Sequence, residues 1–124
     1  MEKWAVIPGH EGFYEVSNHG NVRSLYREVK YGKHGKTIYK GRELKQFVSK
    51  NGYFCVKLSN LKGSKTAYVH HLVLRAFIGE RPITEQRGEI RHLDGNKTNN
   101  NITNICYGTI NENAADRMRH ARNK

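Results

Sequence analysis

From Glu89 to Gly108 the chain reads EIRHLDGNKTNNNITNICYG, two short β-patterned runs on either side of a loop made almost wholly of Asn, Asp, Gly, Lys and Thr. Such a loop has very little apolar surface to bury, so hydrogen bonds must give it any fixed shape. Asn and Asp suit that purpose, because their side chains bond to nearby backbone and tolerate left-handed conformations. EIRHL is read as a strand and ICYG as its return strand. Directly afterwards, Thr109 and Glu112 make a T-x-x-E capping box that opens a helix from about Ile110 to Ala121. Strand, long loop, strand and capped helix form a ββα unit.

Upstream, YEVSNHGNVRSL places short alternating runs around the turn formers SNHGN and predicts a β-hairpin. Residues 26–42, YREVKYGKHGKTIYKGR, hold no sustained period, which leaves a mobile basic loop or the tip of a long hairpin. It is either a DNA-facing finger or a solvated loop. YFCVKLS and KTAYV read as strands of a second hairpin around NLKGS. The period then changes: Val69, Leu72, Val73, Ala76 and Phe77 recur at helical spacing until GERP ends the segment. His70 and His71, at the start of that helix, are read as structural histidines. The expected fold is a single α+β body with no internal repeat.

Lys and Arg number 22 against 11 Asp and Glu, a net charge of +11 on 124 residues, and the pI is near 9.9. Between Asn21 and Arg75 only Glu28 and Glu43 oppose the basic residues. A field of that sign on so small a body points to nucleic acid. No segment joins a basic face to a long apolar one, which argues against a membrane-surface helix, and none approaches spanning length. Cys55 and Cys106 form no CxxC, so neither a zinc ribbon nor a disulfide framework is expected. The opening MEKWAVIPGHEGF lacks the apolar run of a signal peptide. An intracellular setting is expected, in which the sequons at Asn96 and Asn101 carry no glycan.

The residues bracketing the loop have chemistry of their own. His92 ends the entering strand, Asn104 ends the loop and Asn113 lies one turn inside the following helix. Phosphodiester hydrolysis needs a base active near neutral pH, which imidazole supplies. It also needs a cation to neutralise charge on the scissile phosphate, and hard cations accept an asparagine amide oxygen. Asn113 could provide that ligand while Asn104 clamps the loop so that His92 faces the phosphate.

The chain resembles the HNH homing endonucleases of phage and bacterial introns and intergenic sites. IRHLDGNKTNNNITNICYGTINEN is similar to that family's H-x-D-G-N, N-N, N-L-x-W and E-N pattern. WAVIPGHEGFYEVSNHGNVRSL resembles the nuclease-associated module that commonly precedes such units, and VHHLVLRAFIG resembles the family's V-H-R-L-V-A-x-A-F-I segment. The resemblance implies a β-rich, DNA-engaging module over residues 1–50 and a ββα-metal HNH unit over 51–124. It implies that His92 is the general base, Asn104 the loop-bracing asparagine and Asn113 a metal ligand. One position departs: better-studied members carry aspartate or asparagine before the base, and here it is Arg91, which repels a cation. Asp116 and His120 share a helix face with Asn113 and either could compensate. Asp94 is a further candidate, against a turn-forming role beside Gly95. Tyr107 stands at the family's tryptophan position.

The expected activity is metal-dependent cleavage of double-stranded DNA, with Mg2+ or Mn2+ on Asn113 and Asp116 and with water as nucleophile. DNA contacts are expected from Arg91, Arg23, Lys30, Lys33, Lys36 and Lys40. A phage- or mobile-element-encoded monomer, nicking one strand in a bacterial cytoplasm, suits a single site. The rival reading is a DNA-binding protein that keeps the HNH scaffold without catalysis, with Arg91 as its support. A small basic RNA-binding protein ranks third, since it explains the charge and tyrosines but not the bracketed histidine.

Overall fold

The computed structural model describes residues 1–60, 63–79 and 89–108. Among these, ten short strands and one helix form four small antiparallel sheets. Strands β1 (Trp4–Val6), β2 (Tyr14–Ser17) and β3 (Val22–Ser24) make the first sheet, with β2 central. The turn expected between β2 and β3 is present. Ser17 Oγ accepts hydrogen bonds from the His19 and Asn21 amides at 3.2 and 3.1 Å, and so satisfies backbone donors that a tight turn leaves over.

The basic segment is an ordered hairpin, β4 (Arg27–Tyr31) paired with β5 (Gly35–Tyr39). Its base is fixed by Arg27, whose guanidinium carbon lies 4.6 Å from the Phe13 ring centre and 4.7 Å from that of Tyr39. Towards the tip Lys30 stands directly opposite Lys36, a like-charge pairing that costs stability and that Glu28, 4.0 Å from Lys36 Nζ, offsets only in part. The sequence pattern does not show β1 or the two-residue β6 (Phe47–Val48), because strands that short carry no measurable period.

β6, β7 (Phe54–Asn60) and β8 (Gly63–Tyr68) form the third sheet, and β8 leads without a loop into α1 (Val69–Phe77). The apolar stripe read from the sequence is the buried face of that helix, with Val69, Leu72, Val73 and Leu74 inside. The helix ends where Gly79 takes φ +128°, and the amides of Ile78 and Gly79 both bond to the Leu74 carbonyl, at 2.8 and 2.9 Å. β9 (Glu89–His92) and β10 (Ile105–Gly108) complete the described fold, pairing His92 with Ile105 and Arg91 with Cys106.

One core serves three of the four sheets. Val16 and Val22 of the first sheet, Val56 and Leu58 of the third, the α1 residues, and Ile90 and Ile105 of the last hairpin form a single buried cluster. Tyr14 belongs to it and its hydroxyl accepts from the Ser59 amide at 3.0 Å, which ties the first sheet to the third. At the other end the Ile102 amide donates to the Asn18 carbonyl at 2.8 Å, so the polar loop rests on the β2–β3 turn. The capped helix expected from Ile110 to Ala121 lies outside the described residues.

Leu74 has no exposed surface and sits where these sheets meet. Leu74→Ala should destabilise the fold by about 2–5 kcal/mol through lost burial and an unfilled cavity. Urea unfolding followed by circular dichroism measures it, and a change under ~0.5 kcal/mol would mean that α1 is not central to the core.

Candidate active site

The polar loop between β9 and β10 is built from side-chain-to-backbone bonds. Asp94 Oδ1 accepts from the Asn96 amide at 2.8 Å, and Asn96 Oδ1 accepts from the Thr98 amide and hydroxyl at 3.0 and 2.7 Å. Asn101 repeats that pattern with Thr103, at 3.1 and 2.9 Å. The two N-x-T triplets are therefore turn units, a use of the asparagines that needs no glycan.

Asn104 closes the loop. Its Oδ1 accepts from the Asp94 amide at 3.0 Å, while its Nδ2 donates to Asp94 Oδ1 and to the Asn99 carbonyl, each at 2.9 Å. Its backbone carbonyl takes the Leu93 amide at 2.8 Å and so extends the β9–β10 pairing one step into the loop. Asp94 also receives Asn99 Nδ2 at 2.8 Å. Partial desolvation pushes the Asp94 carboxyl up, but the bonds from Asn99, the Asn96 amide and Asn104, with the nearby His92, outweigh it and leave the group below its usual range. Both carboxylate oxygens are thus occupied within the loop, which is the turn-forming arrangement.

His92 is the last residue of β9 and is only 8% exposed. Its Nε2 lies 3.0 Å from Asn100 Oδ1. Its ring packs edge-on to His70 of α1, with centres 5.3 Å apart, and tilted against Tyr53 at 5.8 Å. Lys97 reaches over this group: its Nζ donates to the Asn51 carbonyl at 3.1 Å and stands 5.2 Å from the Tyr53 ring centre. Burial is the largest influence on the imidazole and pushes its pKa down; the Asn100 bond and Asp94 oppose that, and Lys97 adds to it. The net direction is downward, so the neutral ring persists to lower pH than in an exposed histidine.

Strand alternation sends Arg91 to the face opposite Ile90 and His92. Its side chain lies flat across Gly108 of β10, where an added Cβ would overlap Arg91 Cδ, so glycine is what lets the arginine lie there. Tyr107, on the same strand, donates its hydroxyl proton to the Gly79 carbonyl at 2.8 Å and ties β10 to the end of α1. Arg23 is already engaged: Nε and Nη2 bond Glu15 Oε1 at 2.9 and 2.6 Å, and the guanidinium lies 4.0 Å from the Trp4 ring centre. Lys30, Lys33, Lys36 and Lys40 are exposed on and beside the β4–β5 hairpin.

His92, Asn104 and Asp94 therefore converge, Arg91 lies on the other face, and the lysines stand apart on their hairpin. Asn113, Asp116 and His120 lie outside the described residues. Two participants escape sequence reasoning. His70 reads as a structural histidine yet packs on His92, and Asn100 is one asparagine among many with no pattern to distinguish it. Among the described residues no three His, Cys, Asp or Glu side chains form a group that could hold a metal ion. The donors named from sequence, Asn113 and Asp116, offer the amide and carboxylate oxygens that magnesium and manganese accept.

These features agree with what the chain resembles among known proteins. Residues 67–115 match the HNH endonuclease family and residues 2–59 match the NUMOD4 motif. The chain thus carries an HNH endonuclease domain preceded by a NUMOD4 motif. It is 36% identical over 116 residues to the DNA endonuclease I-HmuI of Bacillus phage SP01, a match covering 94% of this chain and 58% of that protein. It is 36% identical over 114 residues to an uncharacterized HNH endonuclease of Acanthamoeba polyphaga mimivirus, covering 92% of this chain and 29% of that protein. The solved structure of DNA binding and cleavage by the HNH homing endonuclease I-HmuI superposes with a TM-score of 0.71 at 34% identity, over 96% of this chain and 59% of the other. The chain thus spans less than two thirds of the relatives it matches.

The depressed pKa of His92 has a sign that can be checked. The unfolded chain takes up this proton at higher pH than the folded one, so the contribution of His92 to stability is complete above the unfolded value. It is lost as pH falls through the folded value. Titration of the metal-free protein by NMR should place the His92 ring below the ordinary imidazole value of about 6.5. A midpoint at or above that value would contradict the burial described.

Proposed function

We propose that the protein is a divalent-metal-dependent DNA endonuclease in which His92 is the general base. The observation supporting this is the placement of His92: a neutral, buried imidazole at a strand end, beside a loop closed by Asn104 and Asp94. In this reading His92 takes a proton from the attacking water, and Asn104 keeps the loop in the shape that aims the ring. When bound, magnesium or manganese held by Asn113 and Asp116 would neutralise charge on the scissile phosphate. Arg91, on the far face of β9, contacts a DNA phosphate rather than the metal. The working setting is intracellular, on double-stranded DNA, with a monomer making one nick.

The opposed pair Lys30 and Lys36 supports a DNA-facing hairpin. Its repulsion is a cost to folding that an anionic backbone laid against the hairpin would relieve. Arg23 contributes less than its exposure suggests, because Glu15 already neutralises it. A second reading, a DNA-binding protein that does not cut, is favoured by Arg91, a cation at the position where the resemblance to better-studied HNH members leads one to expect aspartate or asparagine.

Supercoiled plasmid incubated with protein and magnesium or manganese, with EDTA as control, decides between the two. Wild type should nick, and His92→Ala should lose about 10²–10⁴-fold in rate with DNA affinity nearly unchanged. Arg91→Ala should weaken binding and cleavage together. Metal-dependent nicking by Arg91→Asp alone, with none from wild type, would establish the non-cutting protein.

Joint replacement of Lys30, Lys33, Lys36 and Lys40 by glutamine should flatten the dependence of log affinity on log salt, by a slope of about 0.9 for each phosphate no longer neutralised. Fluorescence anisotropy on a short duplex over a series of salt concentrations measures the slope. An unchanged slope would assign the hairpin to solvent.

A further inference from the structure

The amino-terminal sheet abuts the loop after β9 at Asn100. This residue is 4% exposed, and its Nδ2 is buried without a hydrogen-bond partner, so its amide is held on one side only, by His92. What fixes the rest of it is shape. Gly20, in the β2–β3 turn at φ +90°, lies so close that an added Cβ would stand 2.9 Å from Asn100 Cβ, and 3.2 and 3.3 Å from its carbonyl oxygen and carbon. The turn is itself anchored, since Gln46 Nε2 donates to the Gly20 carbonyl at 2.7 Å and the Asn18 carbonyl takes the Ile102 amide at 2.8 Å.

We propose that Asn100 is the positioning residue that sets the tautomer of His92, and that the β2–β3 turn holds Asn100 in place through Gly20. This rests on His92 being the base. The amide oxygen faces the ring, so Nε2 carries the proton and donates it, leaving the Nδ1 lone pair to accept a proton from water. Asn104 and Asn100 then divide two tasks: Asn104 shapes the loop, and Asn100 orients the ring. The amino-terminal module acts on the chemical step as well as on DNA, because the glycine that abuts Asn100 belongs to it.

The groups around His92 that could mimic such an effect are Asp94 and Lys97 on its own loop, His70 on α1 and Tyr53 before β7. None of them is altered by changing Asn100. Asn100→Leu keeps the volume against Gly20 and removes the acceptor, whereas Asn100→Asp restores an acceptor. The two variants and wild type are compared by ¹⁵N NMR of the His92 ring in metal-free protein, and by plasmid nicking.

Wild type should show the Nε2–H tautomer. Asn100→Leu should show a mixture and lose about 10–100-fold in kcat at unchanged KM, and Asn100→Asp, whose carboxylate also stabilises the charged ring, should recover both at pH above the raised pKa of that ring. Gln46→Ala, which frees the turn without adding an atom, should shift the tautomer ratio in the same direction as Asn100→Leu by a smaller amount. Gly20→Ala should shift it further. An Nδ1–H ring in wild type, or a wild-type tautomer and rate in Asn100→Leu, would overturn the role of Asn100. An undisturbed tautomer in both turn variants would overturn the role of the turn. If wild type failed to nick at all, the endonuclease reading would fall, while the ring spectra would still decide whether Asn100 sets the tautomer.

Discussion

The reciprocal bonds between Asn104 and Asp94 are the constraint on which the site depends. Leu93 points outward at 42% exposure and only Ile102 packs on the core, so the loop from Leu93 to Asn104 depends chiefly on its hydrogen bonds. Each bond in it contributes only about 1 kcal/mol net, yet the bonds are arranged so that several fail together. Without the Asn104 amide, the Asp94 amide loses its acceptor, the Asn99 carbonyl loses a donor and the Asp94 carboxylate loses one of its neutralising partners. The chain leaving β9 would then be free to depart from its course immediately beyond His92.

Electrostatics pull the site in two directions. A net charge of +11 draws in a polyanion, and an anionic phosphate beside an imidazole stabilises its protonated form, which is useless as a base. Burial of His92 acts against that shift, because desolvation penalises the charged ring. Lys97, in the loop that follows β9, adds to it. A chain whose charge favours an anionic partner thus keeps one buried histidine neutral. The rings of His70 and Tyr53 pack against it, and aromatic groups suit that place better than aliphatic ones because they tolerate an imidazole edge.

Much of this is legible in the sequence, for reasons that differ by element. The β2–β3 and β7–β8 hairpins, α1 and the β9–β10 pair follow from local signals, namely turn formers between alternating runs and an apolar stripe at helical spacing. The basic segment of residues 26–42 is readable only as loop or hairpin. Its strands pair lysine with lysine and hide little apolar surface, so the pairing owes more to Arg27 between Phe13 and Tyr39 than to any period. His92 and Asn104 stand out because they bracket the loop. Asn100 and His70 do not, since their importance comes from what packs on them across the chain, and no spacing rule encodes a contact between residue 20 and residue 100.

That long-range contact also bears on how the two matched units are to be understood. The gap between residues 59 and 67 falls within the β7–β8 hairpin, so the boundary between sequence units runs through a hydrogen-bonded ladder. Cutting there would leave β7 or β8 with an unpaired edge, and would divide a core in which Val16 and Val22 pack with Val69, Val73, Ile90 and Ile105. Each half would keep only part of that core. The NUMOD4 stretch and the HNH stretch are therefore two units of sequence and one unit of folding. A module that completes the core of its neighbour cannot tilt or slide against it, and this rigidity is what allows a glycine in one to fix an asparagine in the other.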